Sequence, residues 1–125
     1  MEDQYSAKYA LSYECEDGHR VNSILERDLD TWLHKKRISH IYRPEVSIPE
    51  ALKPSFMIHN SKYQIIYIEI CEKPEDPVCR EDMNEKFKIY AKHDLNFMEI
   101  LPEDLANPDI TLSGKFSEKE VLIAQ

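Results

Sequence analysis

The sequence predicts an α/β domain with a mixed central sheet, and three features carry that prediction. Residues 63–71 form an isoleucine-rich run of the kind found in a strand covered on both faces. Two stretches, 23–36 and 80–92, carry apolar stripes at helical spacing. The second stretch lies between the run at 63–71 and another strand-like run at 96–101, so it supplies the crossover that a parallel pair needs.

The elements follow in order. Residues 5–14 read as a first strand, with Tyr9, Leu11 and Tyr13 alternating against smaller or polar neighbours. Glu16-Asp17-Gly18 is a turn. A helix follows over 23–36, where Leu25, Leu29, Trp32 and Leu33 form one stripe. Ser23 and Glu26 fit a capping box, and Lys35, Lys36 and Arg37 suit the negative end of the helix. Residues 39–47 read as a strand. Pro49 and Pro54 bracket a loop containing Glu50, Ala51 and Leu52. Residues 56–59 are a short strand, 60–62 a tight turn, and 63–71 its antiparallel partner. Pro74 and Pro77 keep 72–78 irregular. The second helix, 80–92, buries Met83, Phe87 and Tyr90. Residues 96–101 are the last strand, and Pro102 opens a helical turn. Residues 113–125 are weakly patterned and read as a loosely packed tail. With no repeat, low-complexity stretch or linker, residues 1–125 read as a single domain.

Composition narrows the function. The chain has 125 residues, 42% apolar and 32% charged, with a net charge of −8. That acidity argues against a protein that coats nucleic acid, because phosphate contacts need clustered Lys and Arg. It leaves room for chemistry in which carboxylates hold a cation against phosphate. The longest apolar run is broken by Glu69 and is too short for a bilayer, so no membrane association is expected. Met1-Glu2-Asp3-Gln4 lacks the features of a signal peptide. Three cysteines, Cys15, Cys71 and Cys79, form no close pair along the chain, which suggests reduced thiols and a cytoplasmic setting. Cys15 and His19 can begin a metal site. No Cys-x-x-Cys or His-x-x-x-His follows, so a structural zinc is not expected.

Three residues stand out chemically. In the run at 63–71, Gln64, Ile66, Ile68 and Ile70 share one face, while Tyr63, Ile65, Tyr67, Glu69 and Cys71 share the other. A carboxylate in a central strand needs a cation, a metal or a proton. Otherwise Glu69 ends the strand, reaches solvent or pairs with a lysine. Glu26 is either the reciprocal half of the capping box or a site acid on the first helix. Lys86 sits at the edge of the buried stripe, where its stem can be covered and its ammonium reach the sheet rim. Lys88 and the histidines at 34, 59 and 93 read as surface or turn residues.

Taken together, Asp17-Gly18-His19-Arg20-Val21-Asn22-Ser23, then Glu26, Trp32-Leu33, Ile38, His40 and Tyr42, resemble the opening of a small microbial group of PD-(D/E)XK nucleases. Pro54-Ser55-Phe56, Tyr67-Ile68-Glu69, Lys86, Tyr90 and the run Leu101 to Leu105 resemble the remainder, so the likeness covers roughly residues 9–112. The resemblance implies a restriction-endonuclease-like α-β-β-β-α-β core and a metal-dependent DNA endonuclease using Mg²⁺ or Mn²⁺. DNA is the implied partner, with a homodimer as the form that cuts both strands. Glu69 falls on the motif acid and Glu26 on the first-helix acid, both implied metal ligands. Lys86 falls on a lysine displaced to the helix, since Cys71 occupies its usual place. In such chemistry the metal polarises phosphate and activates water, while the lysine offsets developing negative charge.

Ser55 departs from this pattern, standing where the family's metal-binding Asp belongs. The chain is then a non-cutting relative, or Glu50 or Glu72 replaces the missing acid, or Ser55 is a silencing change. The alternative function is a non-catalytic DNA- or protein-binding accessory module on the same fold. A generic α/β interaction domain is the third reading, favoured by any strand order outside that pattern.

Overall fold

The structure, a computed structural model, describes residues 13–124. It opens with a short antiparallel hairpin of β1 (Tyr13–Glu14) and β2 (Arg20–Val21). Gly18 turns it at φ 90°, a conformation that costs glycine little. The expected first strand is seen only in its last two residues; residues 5–12 lie outside the described ones. The second hairpin strand was not expected from the sequence.

Helix α1 (Ile24–Lys35) follows, capped by Ser23, whose side chain accepts from the Glu26 backbone N–H. Strands β3 (Ile41–Tyr42), β4 (Phe56–His59), β5 (Ile65–Ile70) and β6 (Phe97–Ile100) form one sheet in the order β3-β4-β5-β6. The first three pair antiparallel and β5 pairs parallel with β6. Helix α2 (Pro77–Lys92) is the crossover between that parallel pair. After the hairpin, the element order is therefore α-β-β-β-α-β.

The pleat of β5 divides the interior in two. Ile66, Ile68 and Ile70 join Leu29, Trp32 and Leu33 of α1 in the main core. Tyr67 points the other way and packs with Leu52 and Tyr90 of α2. Each fully buried aliphatic side chain of this kind contributes about 1.5–3 kcal/mol of transfer free energy.

Three expectations change. The strand expected over 39–47 shrinks to Ile41–Tyr42, because Arg43 adopts φ 51° and Pro44 can donate no ladder bond. Helix α2 starts at Pro77, earlier than expected, since proline suits a first helical position and Asp76 caps it by accepting from the Val78 N–H at 3.0 Å. The loose tail expected over 113–125 begins inside helix α3 (Pro108–Glu118), whose Leu112 and Phe116 are fully buried in the main core. Ser113, Gly114 and Ser117 weaken its local helical signal, and packing overrides that weakness. Trp32 fastens α1 to α3 through Nε1–H to Asp109 Oδ1 at 3.0 Å and an edge contact with Phe116.

All three cysteines are free, although Cys71 and Cys79, apart in sequence, bring their sulfurs to 3.5 Å. Among the described residues no helix is long and apolar enough to cross a membrane.

Candidate functional site

The residues singled out in the sequence gather around one end of β5. Glu69 is 2% exposed and lies on the α2 face of the sheet. Tyr90 O–H donates to its Oε2 at 2.7 Å, and Lys86 Nζ reaches Oε1 at 3.4 Å. Burial pushes the Glu69 carboxyl above its ordinary range, against the lowering pull of Tyr90 and Lys86. Tyr90 is itself raised by burial and by the neighbouring carboxylate, so it stays a donor.

Ser55 belongs to the same patch. Its N–H donates to the Ile68 carbonyl at 2.9 Å. The regular pairing of β4 with β5 begins at Phe56–Ile68, and the Ser55 bond to the Ile68 carbonyl leaves Ser55 just outside that register, next to the end of β5 that carries Glu69.

Glu26 is 5% exposed on α1. Its Oε1 accepts from the Asn22 N–H at 2.9 Å and the Tyr42 hydroxyl at 2.8 Å. The capping box is therefore shifted: Ser23 caps Glu26 as expected, but Glu26 returns its bond to Asn22 and not to Ser23. Arg43 connects the two acids. It approaches Glu26 Oε2 at 3.9 Å, and its charge is felt by Glu69 as well.

The two acids suggested as replacements for the missing Asp separate clearly. Glu50 bonds Lys92 and His93 at the end of α2, and Lys92 first, then His93, pull its carboxyl down to about 2. Glu72 accepts from Ser23 Oγ at 2.9 Å, and partial desolvation together with the charge of Glu26 pushes it up. Glu72 is thus the one beside the site. A groove of about 590 Å³ opens alongside, with Asn22, Arg43, Glu45, Glu50 and Lys53 on its wall.

Sequence reasoning missed a second centre. Asp17, His19, Asp30 and His40 place one ligand atom each within 4.8 Å of one another, and this cluster can hold a metal ion. It is the group of three or more such side chains found among the described residues, and neither Glu26 nor Glu69 belongs to it. Asp17 and His19 come from the hairpin turn, Asp30 from α1, and His40 from the segment leading into β3. Burial works against the Asp17 carboxylate, but the His19 backbone N–H and the neighbouring groups leave it lowered. The hydrogen bond to Asp30 chiefly raises His19. The available signal was a second acid on the buried stripe of α1, with Asp30 one turn after Glu26 and beside Leu29 and Leu33.

Comparison with family models, with curated proteins and with solved structures returns no match.

Proposed function

We propose that this chain carries the restriction-endonuclease-like core and descends from a Mg²⁺- or Mn²⁺-dependent DNA endonuclease, and that its pocket now engages DNA without cutting it. The observation that carries the reading is Lys86 at 3.4 Å from the buried Glu69 carboxylate, with Ser55 bonded to the adjoining β5 residue Ile68. An acid, a lysine and an uncharged residue where a second acid would complete the set make a pocket one ligand short.

The donor set fits Mg²⁺ poorly. A Mg²⁺ ion prefers several hard oxygen ligands. Here both Glu69 oxygens already hold Tyr90 and Lys86, and Arg43 lies where it offsets the charge of both acids. The residues present bind and orient: Arg43 and Lys53 offer positive charge along a groove that Glu45 and Glu50 also line, and Asn22 and Ser47 offer hydrogen bonds. Such contacts give affinity for a phosphate backbone without sequence preference.

The second reading is an active nuclease in which Glu72 replaces the missing acid, favoured by its contact with Ser23 beside Glu26. One experiment separates the two. Wild type, Ser55→Asp and Ser55→Asp/Glu69→Ala are melted with Mn²⁺ and assayed for plasmid nicking. The proposal expects no nicking by wild type, a Mn²⁺-dependent rise in Tm for Ser55→Asp beyond that of wild type, and loss of that excess in the double variant. A ligand that binds only the native state must raise apparent stability. Nicking by wild type that Glu69→Ala abolishes would establish the second reading. A Ser55→Asp protein whose response to Mn²⁺ matches that of wild type would remove the nuclease ancestry from both.

A further inference from the structure

We propose that Asp17, His19, Asp30 and His40 form a closed structural site for a divalent transition-metal ion, best matched by Zn²⁺. The first support is the convergence of lone pairs. His19 Nδ1 lies 3.0 Å from Asp17 Oδ2 and 3.0 Å from Asp30 Oδ2. His40 Nε2 lies 3.2 Å and 3.1 Å from the same two oxygens.

Proton counting shows what this arrangement lacks. His40 Nδ1 sits 2.7 Å from the Ile38 carbonyl, which can only accept. That nitrogen therefore carries the proton, and in the neutral ring Nε2 presents a lone pair to two carboxylate oxygens. His19 Nδ1 faces the same two oxygens with at most one proton between them. A single cation at the centre satisfies all four atoms. A backbone carbonyl that fixes the outer nitrogen of a histidine is also how metal-binding imidazoles are held in the ligating tautomer.

Asp30 supplies an independent observation. Its side chain has no solvent exposure, and Oδ1 is buried with no hydrogen-bond partner. A fully buried carboxylate needs compensating positive charge close by. The two carboxylates, Asp17 and Asp30, are offset in full by the histidines only if both rings are protonated, whereas a divalent ion offsets them with both rings neutral.

The donor set selects the ion. Two imidazole nitrogens with two carboxylate oxygens suit Zn²⁺ and its first-row neighbours, whereas Mg²⁺ and Ca²⁺ favour oxygen alone. Bonds of about 2.0–2.2 Å put the edges of a tetrahedron at about 3.3–3.6 Å, a few tenths of an ångström wider than the four imidazole–carboxylate separations here, and the remaining two edges lie within 4.8 Å. Four protein ligands leave no open position, which marks a structural site and not a catalytic one. The ion would tie the hairpin turn, α1 and the entry to β3 together. Asp30 lies one turn beyond Glu26, and His40 lies two residues before Tyr42, which donates to Glu26. The clamp would thereby position Glu26. That last consequence rests on the function proposed above, while the metal site itself does not.

The test strips the full chain with a chelator, reloads it with Zn²⁺ or Co²⁺, and desalts it. Retained metal, the visible spectrum of the Co²⁺ form and Tm are then measured. Expected are one ion per chain, the intense bands of four-coordinate Co²⁺, and a Tm raised by Zn²⁺ and lowered again by chelator. His19→Gln alters a side chain that is 44% exposed, so it should fold, and it should weaken retention at least about tenfold. Asp30→Asn should do the same wherever it folds, and Glu69→Ala should leave retention unchanged. Wild type that neither retains metal nor responds in Tm overturns the site, as does retention that His19→Gln leaves intact. Neither result touches the nuclease-derived reading, which is tested through Ser55 and Mn²⁺.

Discussion

Replacing Tyr90 by Phe removes one oxygen from a fully buried side chain and leaves its ring stacked on Phe97 and tilted against Tyr67. The change therefore isolates the 2.7 Å hydrogen bond to Glu69. A hydrogen bond to a charged group contributes about 1.5–3 kcal/mol, against about 0.5–1.5 kcal/mol for a neutral pair. The cost of Tyr90→Phe should follow the charge on Glu69. Burial raises the Glu69 carboxyl above its unfolded value of 4.5, so the native state holds this proton more tightly than the unfolded chain. Below the unfolded value the acid is neutral and the loss should be the smaller figure; once pH has climbed past the raised folded value it is ionised and the loss should be the larger. For a domain of this size about 4 °C of Tm accompanies each kcal/mol, giving a drop of about 6–12 °C at high pH. Urea unfolding at both pH values measures the difference directly. Equal costs at the two pH values would mean that Glu69 does not change charge across this range. A cost near zero at both would mean that the hydrogen bond is absent.

Two further outcomes are expected. Glu69→Gln removes the titrating group, so its stability relative to wild type should rise with pH. The wild-type acid contributes fully below its unfolded value of 4.5 and loses that contribution as pH climbs through the raised folded value; a relative stability that falls with pH would show the folded value depressed. Phe116→Ala should cost about 3–5 kcal/mol in urea unfolding, because α3 belongs to the main core and not to a loose tail. A cost below about 0.5 kcal/mol, typical of surface substitutions, would return those residues to the tail.

The strands and helices were legible where local signals agreed with burial. Residues 63–71 announced a covered strand because isoleucine occupies both halves of its pleat, and the face assigned to Glu69 is the face it takes. Lys86 was legible as a side chain able to reach inward, because it borders a stripe whose core is Met83 and Tyr90. Helix α3 was hidden because Leu112 and Phe116 are only two anchors among poor helix formers, and their value comes from Trp32 some eighty residues earlier. Arg43 was hidden for another reason: its left-handed backbone ends β3 and turns the guanidinium toward Glu26, and no spacing rule marks such a turn. The histidine–aspartate cluster draws on three segments, so no two-residue spacing could have exposed it.

The two acidic centres are tied by a match of repeats. Glu26 and Asp30 are four residues apart on α1, a rise of about 6 Å at 1.5 Å per residue. Tyr42 and His40 are two residues apart on the extended chain, about 6.6 Å at 3.3 Å per residue. The helix and the chain entering β3 therefore run rung to rung, Tyr42 meeting Glu26 and His40 meeting Asp30. A shift at one rung is transmitted to the other, since neither α1 nor the extended segment can stretch to absorb it. Two buried acids on one helix face look wasteful for an α/β core, because each must be neutralised by partners from another segment. The pairing makes them serve geometry: whatever fixes Asp30 fixes the distance at which Glu26 faces Arg43, and through Arg43 its relation to Glu69.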